Sequence, residues 1–74
     1  MDIRALQKIF AERLAGLMQE KSLNKTMLAD KTGISRTTIG NWLLLKRTPQ
    51  IDSLYILSEF FGCTIDYLLG KKDS

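Results

Sequence analysis

A single glycine divides the stretch LADKTGISRTTIGNWL, residues 28–43, into two short amphipathic pieces, and that division limits the fold more than any other feature. Gly33 can take the left-handed backbone that ends a helix, without the steric penalty a Cβ would bring. Ile34 follows as an apolar contact near the turn, and Ser35 stands where its hydroxyl can cap the next helix. The pattern predicts a helix from about Lys25 to Thr32, a turn of about three residues, and a helix from about Arg36 to Leu45. Asn24 is positioned to cap the first of these through its side-chain oxygen.

The rest of the chain reads as helix too. Ile3, Leu6, Phe10, Leu14 and Leu17 recur at steps of three and four, the stripe of a helix from Ile3 to about Lys21 that packs one face on a core. Thr48-Pro49 breaks the pattern, and Ile51, Leu54, Leu57 and Phe61 then mark a fourth helix closed by Gly62. Thr64 can cap a short fifth helix over Asp66 to Leu69, ended by Gly70. No period-two strand pattern, internal repeat or low-complexity segment appears. The fold class is therefore all-α, a compact five-helix domain over residues 1–70 with a polar tail at 71–74 that suits either a complete small protein or the front of a longer one.

Composition excludes several functions. Seventy-four residues bury one core and leave no room for a second lobe. With no histidine and one cysteine, neither a zinc site nor an intramolecular disulfide is expected, and Cys63 reads as a small core residue. Lacking histidine and any carboxylate constellation, the chain does not look like an enzyme, and no metal or cofactor is expected. No stretch approaches the length of a membrane span or a signal peptide, so a cytoplasmic location is expected. Eleven Lys and Arg against eight Asp and Glu leave a net charge of +3, which suits a polyanionic partner without requiring one.

On a helical wheel, the third helix carries Ser35, Ile39, Trp42 and Leu43 on a core side and Thr37, Asn41 and Leu44 on the other, with Arg36 flanking. Arg can bond two acceptors of guanine, Asn can pair with adenine, and Thr offers a hydroxyl or a methyl contact. A solvated helix face would use the same residue types. The glycine turn before it weighs toward DNA, because a short helix crossing into a second one is how a helix is presented to the major groove.

The segment LNKTMLADKTGISRTTIGNWLLLKRTPQIDSLYILSEFFGCTIDYLLG resembles the lambda-repressor-like family of DNA-binding domains, the Cro and repressor type also called XRE. The resemblance runs from Leu14 to Gly70 and rests on the combination of LA with TGIS, TTI, the following Trp, the Pro and the closing TIDYLLG. It implies five helices, with the second and third as the DNA-reading unit, and a homodimer on double-stranded palindromic DNA. Position by position, Arg36, Thr37 and Asn41 match base-reading residues. Lys25, Ser35, Asn24 and Thr38 match residues at or near the phosphate backbone, and Lys46 and Arg47 fall in a loop that commonly adds phosphate contacts. The implied function is transcriptional regulation, with repression by operator occupancy in the major groove.

Three departures bear on that implication. The family often pairs an Arg after the helix-one Leu with a Glu after the Trp position, where this chain has Met18 and Leu43. Losing both charges together is what an apolar replacement of a buried ion pair requires, so Met18 is expected to touch Leu43. Leu45 stands where the family has a helix-ending Gly, so the third helix either runs on or its loop is reshaped. Leu44 and Leu45 fall outside the predicted core face, which suggests a dimer or partner contact, a thymine methyl contact, or packing under the fourth helix. An alternative function follows from them: the same fold docking a protein partner, as an antitoxin does, with binding insensitive to salt and to Arg36.

Overall fold

The computed structural model describes residues 2–71, and the expected tail residues 72–74 lie outside that range. Five helices follow one another: α1 (Ile3–Glu20), α2 (Lys25–Thr32), α3 (Arg36–Leu43), α4 (Ile51–Phe61) and α5 (Ile65–Leu68). No described helix is long and apolar enough to cross a membrane.

Local hydrogen bonding explains most of the boundaries. Asp2 opens α1 by accepting a bond from the Arg4 amide at 3.0 Å. The Asn24 Oδ1 accepts from the Met27 amide at 2.8 Å, and Thr64 accepts from the Tyr67 amide at 3.0 Å, so α2 and α5 are capped as predicted. Between α2 and α3, Gly33 has φ 77° and donates its amide to the Ala29 carbonyl at 2.9 Å. Thr32 fastens the same turn from both sides. Its hydroxyl donates to the Leu28 carbonyl at 2.7 Å and accepts from the Ile34 amide at 3.2 Å. A methyl added at Gly33 would meet nothing within 4 Å, so only the backbone opposes it. Gly33→Ala is expected to cost about 1 to 2 kcal/mol, read as a lower urea midpoint; an unchanged midpoint would contradict the left-handed turn.

The core gathers Phe10, Leu14 and Met18 of α1, Leu28 of α2, Ile34 of the turn, Ile39 and Trp42 of α3, Leu57 and Phe61 of α4, and Leu68 of α5. Phe10 meets Trp42 edge to face, ring centres 5.6 Å apart, which ties α1 to α3. Met18 is buried, and Leu43 packs partly buried against the same cluster. The two positions that lack the family's ion pair thus both serve an apolar core. Cys63, expected inside the core, is half-buried at the edge of this cluster, where burial pushes its thiol pKa up.

Four further expectations are corrected. The third helix stops at Leu43, not Leu45, because Leu45 itself takes the left-handed conformation, φ 62°. Its amide bonds the Trp42 carbonyl and the Lys46 amide reaches back to Asn41, the double closure that usually places glycine at this position. Ile3 and Ile51 continue the apolar stripes in sequence but are 59% and 84% exposed, because each is the first residue of its helix and projects past the core. Ser35 is exposed and not core-facing, since its extended cap conformation removes it from the helical wheel. Finally, α5 is shifted one residue toward the N-terminus, because Thr64 caps directly before Ile65.

Candidate nucleic-acid interface

Packing of Ile39 and Trp42 into the core leaves the opposite side of α3 open. Arg36 and Thr37 are exposed in its first turn, and Asn41 is half-buried one turn later. Leu44, 64% exposed, continues the same line at the spacing 37, 41, 44. The helix start is organised by two hydroxyls. The Ser35 Oγ accepts from the Thr38 amide at 3.1 Å and lies 2.7 Å from the Thr38 Oγ1. These residues therefore come to the site partly committed to each other, as does the oxygen of Asn24, whose carboxamide N–H groups keep their donor capacity.

Lys25 opens α2 and lies across from Gly40 of α3. A Cβ built at Gly40 would come 3.9 Å from Lys25 Cδ and 4.0 Å from its Nζ. Those are ordinary van der Waals separations, so the end of the Lys25 side chain, ammonium included, lies beside the reading helix at Gly40. Sequence patterns offer no reason to single it out.

At the far end of α3 a cleft of about 350 Å³ runs to the start of α4 and is lined by Thr38, Asn41, Arg47, Thr48, Gln50 and Ser53, with the edge of Trp42. Arg47 is brought beside Asn41 and Thr38 here, whereas Lys46 is exposed in the turn after α3 and is not part of the lining. Thr48, Gln50 and Ser53 are missed by sequence reasoning, in which Thr48-Pro49 registers only as a helix break. Polar residues on both sides of a proline that follows Lys46-Arg47 are the available signal. None of Lys25, Arg36, Lys46 or Arg47 forms an ion pair with another described residue, so their charge is available to an anion.

Leu44 and Leu45, expected as one surface, are separated by the chain reversal. Leu44 stays on the open side of α3, while Leu45 turns toward α1 and, with Leu43, walls a second groove completed by Lys8, Ala11, Glu12 and Ala15.

A short helix, a glycine turn, and a second helix with an open polar side beside unpaired cations define a helix-turn-helix module. The helix-turn-helix family model matches residues 14–68, and the chain belongs to that family, in its XRE or lambda-repressor-like form. Over 64 residues, 86% of the chain, it is 39% identical to the HTH-type transcriptional activator BcrR of Enterococcus faecalis, of which it covers 31%. It is 31% identical over 65 residues, 88% of the chain, to the uncharacterized HTH-type transcriptional regulator YobD of Bacillus subtilis, covering 58% of it. AnsR, an HTH-type transcriptional regulator of the same organism, is 31% identical over 61 residues, 82% of the chain and 53% of that protein. The chain thus spans from 31% to 58% of the length of these relatives. No solved structure matches it.

Proposed function

We propose that this chain is the sequence-specific double-stranded DNA-binding module of a cytoplasmic transcriptional regulator, and that it acts as a homodimer on a palindromic operator. The observation that carries this reading is the open side of α3, where Arg36, Thr37 and Asn41 offer a guanidinium, a hydroxyl and a carboxamide along one edge. In this reading those three choose sequence. Lys25, Ser35, Asn24, Thr38, Lys46 and Arg47 fix register on phosphates, with Thr48, Gln50 and Ser53 extending that surface. Domain 1–70 does the reading, and occupancy of the operator represses by excluding polymerase.

In vitro selection from random duplex DNA tests it, at about 0.15 M salt so that purely electrostatic binding is suppressed. A palindrome is expected, with half-sites about one helical turn, or 34 Å, apart. Enrichment of single half-sites would keep the reading of sequence and remove the dimer. No enrichment would overturn the reading and leave the protein-docking alternative.

Activation is a second reading of the same binding, favoured by the relative BcrR, which is named as an activator. A reporter carrying the selected site separates the two by the sign of the change in transcription.

A further inference from the structure

From the groove between α1 and the end of α3 we infer the surface through which two copies of this chain pair: α1 docks antiparallel on α1 of a second copy. This deepens the dimer of the proposed function and rests on it. Ala11, Ala15, Leu43 and Leu45 give the groove an apolar lining, and Lys8 and Glu12 supply its charges. They stand one helical turn apart with opposite signs, and neither is paired with another described residue. With Lys ahead of Glu they are also in the weaker order for pairing within one helix.

The pattern is complementary to itself. Ala5, Lys8, Glu12 and Ala15 are all exposed and follow at steps of three, four and three, so they share one face of α1. A two-fold axis on the exposed side of α1, level with residue 10 but on the face opposite the buried Phe10, sets Lys8 of each copy against Glu12 of the other and Ala5 against Ala15, which is the reciprocal contact a symmetric dimer demands. Alanines at both ends allow the helices to approach closely, and the leucines wall the seam. Nothing at the neighbouring Gly16 obstructs the approach, since a Cβ there would meet no atom within 4 Å. Leu45 holds a backbone conformation that disfavours leucine, and its side chain lines this groove. None of the groove residues belongs to the open side of α3, so docking and DNA reading can proceed together.

Charge reversal provides the test. The 74-residue chain and its variants are compared by analytical ultracentrifugation without DNA, with circular dichroism to verify folding. Lys8→Glu or Glu12→Lys places like charges opposite each other twice per dimer, and each is expected to weaken self-association about tenfold. The double variant restores the pairing. An equimolar mixture of the two single variants is expected to form mixed dimers tighter than either alone. A wild-type chain that stays monomeric at submillimolar concentration, or a dimer indifferent to the reversals, leaves the groove to another occupant and overturns the assignment. DNA selection reads out separately: a monomer that still enriches half-sites loses only this interface, whereas a charge-sensitive dimer that enriches nothing loses only the DNA reading.

Discussion

Trp42→Ala should remove a large share of the stability of this domain. The indole is 2% exposed, meets Phe10 edge to face, and is the largest side chain of the core. Truncating a buried aromatic to alanine costs about 3 to 5 kcal/mol, because the lost transfer energy is joined by a cavity that its neighbours fill incompletely. At about 0.05 to 0.15 kcal/mol per residue, a chain of this size has about 4 to 11 kcal/mol in total. The expected result is a large fall in the thermal midpoint by circular dichroism, or no cooperative transition at all, with DNA binding abolished alongside because Trp42 also backs the cleft next to Asn41. Ile51→Ala is the control. Its side chain is 84% exposed, so a shift within about 0.5 kcal/mol is expected despite the equally apolar residue removed. Equal effects at the two positions would contradict the core described above.

That contrast also marks how far the sequence can be read. Asn24, Gly33, Ser35 and Thr64 announce their turns because a cap is a local device: one side chain or one backbone torsion, answered within three or four residues. Ile3 and Ile51 mislead for the complementary reason. Periodicity identifies the apolar face of a helix, but where the helix overruns its neighbours depends on elements distant in the chain. Leu45 is harder still. It occupies a position where glycine is usual, which leaves open whether the helix runs on or its loop is reshaped; the outcome is leucine in the glycine conformation, with two backbone bonds closing the helix. At the candidate interface the open side of α3 follows from spacing alone. The approach of the Lys25 side chain to Gly40, and the polar cleft reaching Gln50 and Ser53, require α2 and α4 to be placed against α3.

Arg36→Ala should change which DNA is bound more than whether DNA is bound. Arg36 begins α3, is exposed and has no acidic partner among the described residues, so its guanidinium can meet a base edge without breaking an existing pair. Removing a base-reading arginine is expected to cost about 1 to 3 kcal/mol on the selected site and to relax preference at one base pair, because the two acceptors of guanine lose their bidentate partner. Lys25→Ala should behave otherwise. Taking away a phosphate-neutralising ammonium weakens selected and random duplexes alike, and lowers the slope of log affinity against log salt by about one. Measuring both variants on both duplexes over a salt series therefore distinguishes the two kinds of interaction on one protein. Should Arg36→Ala weaken specific and random DNA by the same factor, with the salt slope reduced and base preference intact, Arg36 would be a phosphate-binding residue. Thr37 and Asn41 would then carry sequence choice without it.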